Sequence, residues 1–133
     1  MKKLVTAPAD VNQEQSQANQ DAVTVTQSGN NIVVTAALSE LNTFASTNGS
    51  QGSGKWVGLD IDTGLDSIVG ATWNGSALTQ GDVDEAASVG LGAGHIIFWI
   101  KANLVAAAPR TVTIGAPDHE DVTFTVSVTD TSN

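Results

Sequence analysis

Cysteine is absent from this chain of 133 residues, which removes disulfides and thiolate metal sites together. Positive charge is scarce: five Lys and Arg stand against 14 Asp and Glu, a formal net charge of −9. Such a surface repels nucleic-acid phosphates and anionic membranes, and it favours solubility or a basic partner. Charged residues of both signs make up only 14% of the chain, while Thr, Ser, Ala, Val and Gly are abundant. That is the profile of an all-β extracellular or virion-type domain rather than of a cytosolic enzyme. Long apolar runs are missing as well. Met1-Lys2-Lys3 opens like a signal peptide, but Leu4-Val5 is too short for its apolar centre, so neither a secretion signal nor a transmembrane segment is expected. Without a secretory route, the glycosylation patterns at Asn48-Gly49-Ser50 and Asn74-Gly75-Ser76 carry little meaning.

What is present is enough residues for one domain with a real core. Its most apolar stretch is His95-Ile96-Ile97-Phe98-Trp99-Ile100-Lys101. Its length and its β-branched and aromatic content predict a strand. Ile96, Phe98 and Ile100 share one face, and Ile97 and Trp99 share the other. A strand apolar on both faces is central and covered twice.

Around it the chain reads as short strands punctuated by turns. Residues 22–27 and 32–38 alternate across Ser28-Gly29-Asn30-Asn31 and predict a hairpin. Ser39 is placed to cap a short helix carrying Leu41, Phe44 and Ala45. Residues 48–54 are a flexible loop. Residues 55–61 form a strand with Val57, Leu59 and Ile61 on one face and Trp56 on the other. Residues 65–73 form another strand or a pair of strand pieces, ending at Asn74-Gly75, a type I′ hairpin signal. Asp82 reads as an N-cap for a helix over 83–89 that Gly90 ends. Residues 110–114 and 122–129 alternate cleanly, the latter with Val122, Phe124, Val126 and Val128 inward. The sum is an all-β, Ig-like β-sandwich of seven to nine strands with one or two short helices. Residues 22–133 make up this domain. Residues 1–21 precede it as an extended N-terminal arm. Its spacer, from Asn12 to Gln20, is polar without apolar period, so alone it cannot offset its ordering entropy. It is either a floppy tail or an arm that orders on a partner.

Chemical motifs are weak. Asp60, Asp62 and Asp66 alternate around Gly64 as calcium-loop carboxylates do, but Gly64 takes a ligand position and no glutamate closes the loop, so a solvated acidic turn is expected. His95 and His119 are the only histidines, and no Gly-x-Ser-x-Gly elbow accompanies them. No acid sits in an apolar pattern that would suit a glycosidase pair. Gly90-Leu91-Gly92-Ala93-Gly94 precedes a strand, the wrong order for a dinucleotide loop. Trp56, Trp73 and Trp99 could stack on sugars, with Trp73 beside a turn as the most exposed. Burial in the core is the expectation for all three. No catalytic residue, metal or cofactor is therefore expected.

The opening Met1-Lys2-Lys3-Leu4-Val5-Thr6-Ala7-Pro8-Ala9-Asp10-Val11, the Gln/Asn-rich spacer, and the course from Gly54-Lys55-Trp56-Val57-Gly58-Leu59-Asp60 to His95-Ile96-Ile97-Phe98-Trp99-Ile100 resemble the head-fibre and capsid-decoration proteins of tailed bacteriophages. The resemblance implies a non-enzymatic virion protein, made in the host cytoplasm and carried on the outer capsid surface. It would dock on the phage major capsid protein through its N-terminal segment and project a β-domain outward, often as a homotrimer. On this sequence, Leu4, Val5 and Pro8 would supply the apolar docking contacts, and Lys2 and Lys3 would meet acidic groups. Ile97 and Trp99 would lie under the 83–89 helix or between protomers. Neither nucleic acid nor membrane is an expected partner. The alternative is a carbohydrate-binding or adhesive β-sandwich module, which requires an exposed Trp56 or Trp73.

Overall fold

Alternation at every second residue puts most of this chain into sheets, and the turns fall where glycine and asparagine permit them. The computed structural model describes residues 2–4, 13–45, 52–77, 85–92, 94–115 and 120–132. The chain is mostly β. A four-stranded sheet has the order β1 (Lys2–Leu4), β6 (Trp56–Asp62), β10 (His95–Lys101), β9 (Ala86–Gly92). A six-stranded sheet has the order β2 (Thr24–Ser28), β3 (Asn31–Ala36), β12 (Val122–Asp130), β11 (Arg110–Gly115), β7 (Gly70–Trp73), β8 (Ser76–Ala77). A two-stranded ribbon joins β4 (Phe44–Ala45) to β5 (Ser53–Gly54). Two helices, α1 (Gln13–Asp21) and α2 (Ala102–Val105), and a 3-10 turn at Leu38–Glu40 complete the described elements. Every described pairing is antiparallel except β3 with β12.

One buried cluster unites the two large sheets. Val57, Leu59 and Ile61 of β6 and Ile96, Phe98 and Ile100 of β10 meet Ile32 and Val34 of β3, Val112 and Ile114 of β11, and Phe124 and Val126 of β12. These are the residues that the two-residue period turns inward. The 95–101 strand lies inside its sheet, between β6 and β9, as its two apolar faces require. The β2–β3 hairpin forms as expected. So does the turn at Asn74-Gly75, where φ is +49° and +88° and both residues take the left-handed backbone of a type I′ turn.

Five expectations fail, the first at Ser53–Gly54, expected in a flexible loop but present as strand β5, paired with β4. The 83–89 helix does not form: the described part of that segment begins β9, which pairs with β10. The free edge of a buried strand needs a partner more than an acidic first turn needs a helix. The register steps from Ile97↔Gly90 to Phe98↔Ser88, so Val89 is left over as a bulge. Asp82, the expected cap, lies outside the described residues. Around Ser39 only the 3-10 turn forms, and Phe44 and Ala45 are strand. Of residues 65–73 only Gly70–Trp73 is strand. The arm is not extended to residue 21, because Gln13–Asp21 is helical.

Gly94 holds the entry to β10 in place. Its φ is +78°, and its carbonyl accepts the Thr63 amide at 2.8 Å and the Thr63 hydroxyl at 2.7 Å. A Cβ there would lie 2.1 Å from the Leu65 carbonyl oxygen. At Gly29, φ is +57° but a Cβ would meet nothing within 4 Å. Gly94→Ala is therefore expected to lower stability by about 3 kcal/mol, and Gly29→Ala by about 1 kcal/mol, from backbone strain alone. Urea unfolding of the two variants checks the difference. Equal losses would contradict the close approach at Gly94.

Candidate functional site

The outward face of the four-stranded sheet holds most of the residues that the sequence singles out. Register places His95 opposite Asp62, Ile97 opposite Asp60, Trp99 opposite Gly58 and Lys101 opposite Trp56, all on the face turned away from the shared core. The apolar end of this face is closed. Trp56 and Trp99 are 0% exposed. The Lys101 ammonium lies 5.2 Å from the centre of the Trp56 ring, a cation–π contact. Its aliphatic stem passes Gly54 so closely that a Cβ on Gly54 would sit 2.7 Å from Lys101 Cγ. The chain thus encloses Trp99 by itself, and of the two expected interface residues only Ile97 retains exposed surface.

The edge of this sheet is completed by the N-terminal segment. β1 runs antiparallel to β6, with Lys2 opposite Asp62, Lys3 opposite Ile61 and Leu4 opposite Asp60. Val5 and Pro8 lie outside the described residues. Beyond Asp60, helix α1 takes over. The Gln20 carboxamide accepts the Gly58 amide and donates to the Gly58 carbonyl at 3.2 Å, which is what a neighbouring strand would do. Asn19 donates to the Trp56 carbonyl at 3.2 Å and to the Asn42 carbonyl at 3.0 Å, and accepts the Asn42 amide at 2.8 Å. Ser16, Asn19 and Gln20 are the buried residues of α1. Their spacing of three and four puts them on one helix face. The spacer that seemed too polar to order is held by hydrogen bonds instead of apolar contact. Apolar period does not reveal this face, because its spacing of three and four is carried by Ser, Asn and Gln.

The polar end of the face carries an ionic pair. His95 Nδ1 lies 2.7 Å from Asp60 Oδ1. That hydrogen bond, with further attraction from the Asp60 and Asp62 charges, holds the imidazolium above the usual histidine range despite some desolvation. Asp66 is exposed in the loop that follows. Among the described residues, no three His, Asp or Glu side chains converge as metal ligands. His119 lies outside the described residues. Trp73 is 2% exposed, like Trp56 and Trp99 a buried residue, so none of the three offers a stacking face to a sugar.

A second polar cluster, unforeseen in the sequence, links the sheets. The only arginine, Arg110 on β11, grips Glu85 with Nε and Nη2, the latter at 2.9 Å. Glu85 Oε1 also accepts the Trp73 indole N–H at 2.6 Å, and Trp73 packs edge-on against Phe98 with ring centres 5.9 Å apart. Arg110 further donates to the Ala108 and Leu104 carbonyls. The guanidinium bond holds Glu85 below the usual carboxylate range, against the opposing effect of burial. A lone arginine in an acid-rich chain was a usable signal for an internal pair.

These two pairs give stability opposite pH slopes. The Glu85 contribution is complete above its unfolded value of 4.5 and is lost as pH falls through its lowered folded value. The His95 contribution is complete below 6.5 and is lost as pH rises through its raised folded value. Unfolding midpoints followed by tryptophan fluorescence should decline on both sides. Glu85→Gln is expected to cost about 2 kcal/mol at neutral pH and to flatten the acid side alone. His95→Gln should flatten the decline above pH 6.5 alone. An unchanged profile in either variant would refute the corresponding pair.

No protein family matches this chain, and neither a curated protein nor a solved structure is detectably similar to it. Its function is therefore argued from its own charge distribution and geometry.

Proposed function

We propose that this chain is a structural, non-enzymatic virion protein of a bacteriophage. It decorates the outer capsid surface, docks on the major capsid protein through its N-terminal segment, and holds an Ig-like β-sandwich outward. One observation carries the docking claim. The three basic residues beyond the N-terminus are each used inside the fold: Lys55 donates to the Leu41 carbonyl at 2.8 Å, Lys101 is buried over Trp56, and Arg110 grips Glu85. Lys2 and Lys3, the other two basic residues of the chain, stand on β1 at the edge of the four-stranded sheet and would be the cationic pair that meets a partner. An acidic patch on a capsid subunit is the chemistry they suit. Leu4, with Val5 and Pro8, would add apolar contact. The sandwich reading is supported by the core that the two large sheets share. The remaining acidic surface would keep decorated particles from adhering to one another.

Two further facts favour this reading over the alternatives. The carbohydrate-binding module needs an exposed Trp56 or Trp73, and both are buried. A net charge of −9 opposes nucleic-acid and anionic-membrane partners.

Deleting residues 1–21 would remove β1 and α1 from the sheet edge, so the test keeps the full chain. Co-sedimentation with undecorated capsids of the encoding phage is expected for the natural protein, weakening as salt rises. The double variant Lys2→Glu, Lys3→Glu should bind about tenfold more weakly or worse, since like charges across a contact cost several kcal/mol. Failure of the natural protein to sediment would overturn the reading.

A further inference from the structure

The strongest uncommitted surface is the outward face of the six-stranded sheet. In β2, β3, β12, β11 and β7, the outward residues are Thr, Ser, Asn, Val and Gly, with no charge among them. Its middle is formed by Val33, Thr113, Thr125 and Ser127, all half-buried. This is unusual for a chain with 14 acidic residues and a net charge of −9. At one margin Val69 is 71% exposed, the most exposed large apolar side chain among those described. It borders a shallow cavity of about 360 Å³ over the facing glycines Gly70 and Gly115, with Asp121 as the acid on its rim. Some of the hydroxyls satisfy one another, as Thr113 and Thr123 do at 3.3 Å, which lowers the cost of drying the face.

We propose that this face is where a second copy of the chain docks. Charge selects the occupant. Two copies that each carry −9 repel one another, and on this face the outward strand residues bring no acid to the contact, Asp121 standing at its rim. The outward face of the other sheet does not offer this, since it carries Asp60 and Asp62. Five strands spaced about 4.8 Å apart, with about six residues each at 3.3 Å per residue, give a projected footprint of roughly 450 Å². The pair buries close to 1,000 Å² in total, at the lower limit for specific association. The contact is therefore weak and concentration-dependent. A face that meets its own copy is isologous and pairs two-fold, so it makes dimers rather than the trimers that the family resemblance implies.

Sedimentation equilibrium of the full chain tests this without any capsid. The mass is expected to rise toward that of a dimer with concentration. Added salt should strengthen association, because it screens the repulsion between like-charged copies; docking through Lys2 and Lys3 should respond in the opposite sense. Thr125→Arg, in the middle of the face, should weaken the dimer at least about tenfold by placing unpaired like charges in the contact. Ile97→Arg on the other sheet should not weaken it. A monomer at every concentration, a trimer, weakening by salt in the natural protein, or a folded Thr125→Arg that dimerises normally would each overturn the proposal. None of these outcomes bears on capsid co-sedimentation, so the two readings fail separately.

Discussion

The backbone of β6 has two edges to satisfy and almost nothing of it is open to water. Trp56, Val57, Leu59 and Ile61 are all 0% exposed. β10 pairs with one edge along its whole length. On the other edge β1 reaches only from Asp62 to Asp60, which leaves the Gly58 amide, the Gly58 carbonyl and the Trp56 carbonyl to be paired. Each such group left unpaired in a buried place costs about 1–3 kcal/mol. Gln20 and Asn19 supply those bonds. The need of one strand thus fixes where the N-terminal segment goes, and with it the position of Lys2 and Lys3.

That arrangement also accounts for the way polar residues are used here. The described interior has few charges, and those it has are paired or shielded: Glu85 with Arg110, Lys101 over Trp56. Glu85, Trp73, Arg110 and Phe98 form a bridge between the sheets that fixes their relative register by direction, while the shared apolar cluster supplies the bulk of the burial. Directional contacts at the edges and non-directional packing between the layers divide the work. With three of the five basic residues so used, the charge that remains is mainly acidic. The two proposed contacts follow from that imbalance: a cationic edge toward an acidic partner, and an uncharged face toward another copy.

Where side-chain hydropathy decided the outcome, the chain was readable. The inward residues of β3, β6, β10, β11 and β12 follow the two-residue period, and Asn74-Gly75 turns as its residue types require. Where a tertiary demand decided it, the chain was not. Residues 86–92 carry too little bulk to announce a strand, and they become one because β10 lacks a partner. The face of α1 has helical spacing, but its members are Ser16, Asn19 and Gln20, which hydropathy scores as solvent-facing. The burial of Trp99 was legible. Of the candidate site, Lys2, Lys3 and Leu4 were legible as a cluster, but not as a strand paired to Asp60–Asp62 of β6.

The central claim is that Gln20 stands in for a strand at Gly58. Native-state hydrogen exchange of the Gly58 amide in the full chain tests it most directly. The account predicts strong protection in the natural protein, and selective loss of protection at Gly58 in Gln20→Ala while the amides shared between β6 and β10 stay protected. Rapid exchange at Gly58 in the natural protein, or protection that Gln20→Ala leaves untouched, would contradict it.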